Sequence, residues 1–389
     1  MLLARLADES AIFLPFGSLE SFRADLGLTY AQAGAVLAAI APGALAGGVF
    51  AAAADRYSRR VISAGGAFGF ALALAMFAFG GSFAILAAGA FLMGMASTAM
   101  VDGAEVALVD LAGDDLRRFL ARSNLLATVG DLLGPALLAG AVVLGLSWRA
   151  AFGVGAVLMT IYALALSGAP LPPPARVPDG DEEDGQRPGL VAVLRDPAVW
   201  VMGVIGLLMV PFDEPLVGFT VALLEQERGA SAAVAMVVAF AGITGGVLAF
   251  TVLARRFEGV DDHRLLTWSV AVMAAGAVTI AVVPVLAVVA VAGLVTAIGL
   301  SLAWLAMQHR TLLLRPGQVG TTNAVLGGIE STGAWLPLAI GVLADRAGLT
   351  WAVGSFGIVG AILVALAWWD GRRTATRGNG PKSVTDRLP

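Results

Sequence analysis

Apolar residues run along this chain in long stretches rather than alternating with polar ones, as at 31–54, 61–79, 150–166, 265–283 and 351–369. A helix rises ~1.5 Å per residue, so each stretch can cross a ~30 Å hydrocarbon core. Short Gly, Pro or charged connections separate them, such as Gly80-Gly81-Ser82 and Val283-Pro284. These breaks predict twelve spans at 1–22, 30–54, 61–79, 83–110, 119–145, 150–169, 197–224, 231–253, 265–283, 286–313, 321–344 and 351–369. Between the sixth and seventh, 171–189 carries a Pro-Pro-Pro run and the acidic stretch 179–184. That segment is too polar for lipid and too proline-rich for a helix, so it is read as a solvated linker. The expected fold class is an all-α polytopic membrane protein with twelve transmembrane helices in two pseudo-symmetric six-helix bundles. Its domains are a first bundle over 1–170, a cytoplasmic linker over 171–194, a second bundle over 195–370 and a cytoplasmic tail over 371–389.

The polar interruptions repeat. Asp8, Glu9, Glu20 and Arg23 return at Asp213, Glu214, Glu225 and Arg228, each 205 positions on, and Gly94 and Glu105 fall opposite Gly299 and Arg310. Pro135 precedes Trp148 by 13 residues, and Pro337 precedes Trp351 by 14. Duplication explains these echoes, and parallel six-helix repeats place a substrate site near the midplane at their interface. Spans two, three, six, eight, nine and twelve have no ionisable residue in their interiors. Spans one, four, five, seven, ten and eleven hold Asp8, Glu9, Asp102, Glu105, Asp131, Asp213, Glu214, Arg310 and Glu330. The second set is therefore expected to surround water.

Composition sharpens this picture. At 389 residues, 58% apolar and 13% charged, the chain is far from a soluble domain, where about a quarter of residues are charged. A cytoplasmic N-terminus leaves only Arg23, Arg149, Arg228 and Arg346 of the 24 Lys and Arg outside, which places both termini inside by the positive-inside rule. No cleavable signal peptide is visible, since Asp8 and Glu9 interrupt the first apolar segment. Seven residues precede Asp8 whereas Asp213 lies 17 positions past Asp196, so the first span reads as clipped or as beginning upstream. Zero cysteines exclude disulfides and thiol chemistry. No HExxH and no phosphate loop occurs, and the histidines are His263 and His309 alone. An enzyme, an ATP-driven pump, a cofactor and a metal are accordingly not expected, and neither is a nucleic-acid partner.

Depth sorts the candidates. Asp131 lies nine residues past Arg122 and Glu330 nine past Thr321, so both sit roughly 14 Å into the membrane, with Asp213 and Glu214 similarly central. Asp102 and Glu105 are about 28 to 33 Å from Phe83, near the cytoplasmic mouth, at the level of His309 and Arg310. An ion pair between Glu105 and Arg310 across the halves follows as a gate or structural latch. Asp131, Asp213, Glu214 and Glu330 read either as substrate or proton groups or as structural hydrogen-bond partners; inserting such a group costs ~3 kcal/mol, which favours function. The same alternatives stand for Asp8 and Glu9, which a clipped span would leave shallow. Adjacent residues point ~100° apart on a helix, so at most one of each Asp-Glu pair is expected to face the cavity. Asp110, Glu20 and Glu225 read as interfacial. A carboxyl buried beside apolar walls can load and release a proton as the cavity opens to either side, and the best-matched pair across the halves is Asp131 with Glu330.

The loop after the second span carries Ala51-Ala-Ala-Ala-Asp55-Arg56-Tyr-Ser58-Arg59-Arg60. It resembles the loop signature of the major facilitator superfamily, with Ala51 and Ser58 in place of two glycines, and Gly341-Val-Leu-Ala-Asp345-Arg346 repeats its flavour. The resemblance implies that Asp55, Arg56, Arg59 and Arg60 latch helices at the cytoplasmic face; the alternative is that the arginines are topology anchors. Gly130-Asp-Leu-Leu-Gly134-Pro135 looks like the core of the motif typical of proton-driven exporters, although Ala121, Leu138 and Ala139 replace glycines around it. The fourth-span arginine common in proton-coupled members is replaced by Ala90. What the resemblance implies is a monomeric secondary transporter of the inner (plasma) membrane working by alternating access, with the lipid bilayer, protons and a small molecule as partners. Proton-coupled efflux of a small organic compound is the first expectation, a cation being favoured by a lumen with several carboxylates against one arginine. Proton-coupled import of a small solute is the alternative, and a non-transporting sensor a third.

Overall fold

The computed structural model describes residues 3–53, 58–112, 116–169, 193–253, 256, 260–314 and 319–378, with the side chains of 102, 103 and 105–125 among those left out. All the described regular structure is helical. The first span is Leu3–Gly17 continued by Leu19–Leu26, and the second is Tyr30–Ala38 continued by Ile40–Ala53. Arg59–Phe79, Phe83–Ala112, Leu116–Val143 and Trp148–Gly168 complete the first six. The seventh is Pro197–Met209 and Glu214–Gln226, joined by the 3-10 turn Val210–Phe212. Ala232–Leu248, Asp262–Val282 and Leu286–Leu314 follow. The eleventh comprises Val319–Ser331 and Leu336–Ala347 around the 3-10 turn Thr332–Trp335, and the last is Leu349–Gly378. Among the described residues nine helices are long and apolar enough to cross a membrane, and two shorter apolar ones, Val129–Val143 and Ala232–Leu248, belong to the fifth and eighth spans. Within the last helix, Asp370 is 5% exposed and paired with Arg310.

Lipid supplies no hydrophobic drive between helices, so small residues that admit backbone contact hold the bundles together. A Cβ on Gly43 or Gly94 would stand about 2 Å from the carbonyl oxygen of Phe91 or Ile40, which locks the second span to the fourth. Gly245 makes the same approach to Leu294, joining the eighth to the tenth. Aromatic rings fill the first half's core: Phe77 stacks on Phe152 with centroids 4.9 Å apart, and Trp148 meets Phe152 edge-on at 5.5 Å. Each such pair contributes about 0.5–1.5 kcal/mol beyond its buried area.

The helices divide the bundle into two ends. One, the basic end, carries Arg5, Arg60 and Arg256; the other carries Asp25, Glu227 and Asp345. At this second end an arginine closes a helix in each half. Arg149 donates to the carbonyls of Phe77, Ala78 and Gly80 at 3.3, 3.2 and 2.6 Å. Arg228 donates to Ile280, Ala281 and Val283 at 2.6, 2.7 and 2.7 Å. Arg149 satisfies the last carbonyls of the antiparallel third span and Arg228 those of the ninth, which runs parallel to the seventh; at both ends the helix dipole is negative. Burial lowers the Arg228 pKa from its ordinary value, and the nearby Glu227 carboxylate opposes that shift.

Candidate functional site

Span five approaches span one through two glycines one turn apart. A Cβ on Gly130 would lie 2.8 Å from the Leu6 carbonyl oxygen and from Glu9 Cβ, and one on Gly134 would lie 2.6 Å from the Ser10 carbonyl oxygen. This contact is what the Gly130-Asp-Leu-Leu-Gly134 pattern does here: it brings Asp131 beside Glu9. Glu9, expected to lie shallow, thus sits at the level of a residue placed deep by helix rise. Its neighbour Asp8 turns the other way, is 7% exposed, and accepts a hydrogen bond from Ser97 Oγ of the fourth span at 2.6 Å. One residue of this pair faces the cavity, as the helical ~100° step requires.

The second Asp-Glu pair departs from that rule. Pro211 sits in the 3-10 turn and Pro215 in the first turn of the next helix, and Asp213 between them has φ −86°, ψ −131°, outside the helical region. Proline removes a backbone donor and crowds the preceding turn, so the helix is interrupted at the acid pair. Asp213 and Glu214 both line the cavity, which corrects the expectation of one.

The cavity has a volume of about 890 Å³. Glu9, Asp131, Asp213 and Glu214 lie on its wall and within electrostatic reach of one another. Phe13, Phe212 and Trp304 supply aromatic surface. Thr220 adds a buried hydroxyl that has no hydrogen-bond partner among the described residues. The lining reaches the basic end past Thr251 and Leu305, and past Arg5, whose Nη1 lies 3.8 Å from Glu9 Oε1. Arg5 was legible as a cavity residue, because it precedes Glu9 by four positions on the same helix face. The aromatic and hydroxyl groups carry no charge to mark them among dozens of similar residues.

Other expected residues go elsewhere. Glu330 is not on this cavity wall: its carboxylate presses on Gly206 of the seventh span, where a Cβ would clash with it. The pair that the structure brings together across the halves is Asp131 with Asp213. Arg310, 8% exposed, meets Asp370 of its own half, and His263 Nδ1 lies 3.4 Å from the same carboxylate. Asp370 went unrecognised because it stands at the polar end of an apolar run. Glu20, expected to be interfacial, is 2% exposed and takes two hydrogen bonds from Arg23 at 2.6 and 2.9 Å and one from Tyr30 Oη at 3.0 Å. Asp55 and Arg56, and the side chains of Arg59, Asp102, Glu105 and Asp110, lie outside the described residues; Arg60 is exposed at the basic end.

Helices in two six-span halves with four carboxylates on the wall of the cavity between them narrow the family, and sequence comparison decides it: the model of the Major Facilitator Superfamily matches residues 2–336. The chain belongs to the Major Facilitator Superfamily. Solved structures agree on the fold. The nucleoside transporter NupG is 13% identical with a TM-score of 0.73, covering 95% of this chain and 98% of that one. A bacterial homolog of the human lysosomal transporter Spinster, inward-facing and occupied, is 17% identical at TM-score 0.75, covering 95% and 96%. The xylose transporter XylE from E. coli, inward open, is 15% identical at 0.70, covering 94% of each. A comparison with curated protein sequences gives no match. The chain is thus a multi-pass membrane transporter of this superfamily, built to move a small molecule across the bilayer.

Proposed function

We propose that the chain exports a small organic cation in exchange for protons, from a plasma membrane in which the basic end and both termini are cytoplasmic. The observation that carries this reading is the convergence of four carboxylates and one arginine on a cavity walled by Phe13, Phe212 and Trp304. Ionised, the cluster attracts a cation and the aromatic faces hold its apolar body. Protonated, it loses that attraction, so proton loading and cation release are alternative occupancies of the same groups. Alternating exposure of those groups couples the two flows. The charge asymmetry of the wall disfavours anions.

The test is transport in everted membrane vesicles energised by a proton gradient, with tetraphenylphosphonium as probe. Gradient-dependent accumulation is expected, together with its loss in the Asp131→Asn, Asp213→Asn double variant. Undiminished transport in that variant defeats the carboxylate mechanism. Extrusion of the probe beyond that from energised everted vesicles lacking the protein, where the inside-positive potential alone expels a permeant cation, reverses the direction in favour of import.

A further inference from the structure

The end of the bundle opposite Arg5 is held shut by a bond that joins the two halves. The second span begins at Thr29, whose Oγ1 accepts the Gln32 N–H at 3.1 Å while Gln32 Oε1 accepts the Thr29 N–H at 3.0 Å. This capping box leaves the next two N–H groups, on Tyr30 and Ala31, without a partner from their own helix. Asp345 supplies it from the eleventh span: Oδ1 accepts from Tyr30 at 2.8 Å and Oδ2 from Ala31 at 2.7 Å. A carboxylate on the positive end of a helix is well placed electrostatically.

Backbone contact surrounds that bond. A Cβ on Gly341, one turn before Asp345, would lie 2.2 Å from the Tyr30 carbonyl oxygen, and one on Gly34 would lie 2.3 Å from that of Pro337. Glycines at 34 and 341 thus admit backbone contact between the second and eleventh spans, and that contact aims Asp345 at the helix start. The Gly341-x-x-x-Asp345-Arg346 order is thereby accounted for as a device of this end.

We propose that Asp345 is the state-dependent latch of the closed end, a positioning residue for transport whose bond to the start of the second span forms when the halves meet there and breaks when they part. Its two bonding partners, Tyr30 and Ala31, are off the cavity wall, and it acts by setting the balance between the two exposures. Because a ligand shifts a two-state equilibrium only through differential contacts, a bond available in one state alone biases the cycle without a substrate. This inference does not depend on the cation reading.

The chain has no cysteine, so spin labels can be placed cleanly. Ala24 and Ala347 are exposed on opposite halves at the closed end, and Val61 and Val260 are exposed on opposite halves at the basic end. Distances within the Ala24→Cys, Ala347→Cys pair and the Val61→Cys, Val260→Cys pair are measured in lipid nanodiscs by pulsed electron resonance. In Asp345→Ala the first distance is expected to lengthen and the second to shorten, with Asp345→Asn in between because its amide oxygen still accepts one N–H. A merely structural role would broaden both distributions without shortening either. Unchanged distances, or lengthening at both ends, overturns the proposal.

Discussion

The first and seventh spans carry the same polar residues at the same spacing and use them differently. In the first, the helix runs unbroken through Asp8 and Glu9, so one acid buries against Ser97 and the other faces the cavity. In the seventh, two prolines interrupt the helix and both acids open onto the cavity. Further along, Arg23 clasps Glu20. Its counterpart Arg228 reaches past Glu225 to the carbonyls that end the ninth span, and Glu225 Oε1 is left without a partner among the described residues. In the first half that carbonyl-capping task falls to Arg149 of the sixth span. Duplication thus preserves residue types at fixed intervals, while local backbone geometry assigns their work.

The largest expected effect comes from removing the difference between the two acid pairs. In Pro211→Ala, Pro215→Ala the seventh span can run straight, and one of Asp213 and Glu214 must turn ~100° off the cavity. A carboxylate about 6 Å from a bound cation contributes on the order of 2–3 kcal/mol at an effective dielectric near 20. Tetraphenylphosphonium binding to the purified protein should weaken by at least about tenfold. Unaltered affinity would mean that the interruption serves hinge motion and not the placement of both acids.

The second effect falls on stability. Removing one partner of a buried ion pair costs about 3–5 kcal/mol, which the partial exposure of Arg23 reduces to roughly 2 kcal/mol. Arg23→Gln should therefore lower the melting temperature more than Arg228→Gln, which gives up helix-end contacts of about 1 kcal/mol. Adding Glu20→Gln should restore part of the loss in Arg23→Gln, because the stranded carboxylate is then neutral. Equal shifts for the two arginine variants would show that the counterparts share one job after all.

Spans and their duplication were legible because apolar runs and repeated acids are long-range signals that survive local detail. Asp131, Asp213, Glu214 and Glu9 were legible as buried acids in spans lining water. Which acids converge was not, because convergence depends on features that depth along a helix does not contain. Gly130 and Gly134 set how close the first and fifth spans come, and Pro211 and Pro215 set where the seventh bends. Asp370, and the partner of Asp345 (itself noted in the Gly341-to-Arg346 echo), escaped for another reason. Asp345 stands near a helix end and Asp370 just past an apolar run, where an acid looks solvated until the neighbouring helix is known to present the start of the second span or Arg310.

The smallest effect is the one that most sharpens the comparison between halves. Helix rise makes Asp131 and Glu330 equivalent, at nine residues into the fifth and eleventh spans, and a symmetric transporter would use both. The packing separates them: Asp131 faces Asp213 across the cavity, whereas Glu330 lies on Gly206 within its own half. Asp131→Asn should therefore lose proton-driven transport in vesicles, while Glu330→Gln should stay within about twofold of the parent, since a neutral amide of the same shape keeps the contact with Gly206 and alters no cavity charge. Loss of transport in Glu330→Gln at normal expression would bring the eleventh span into the proton path. Glu330 would then be the eleventh span's working counterpart of Asp131, reached in the opposite exposure of the cycle.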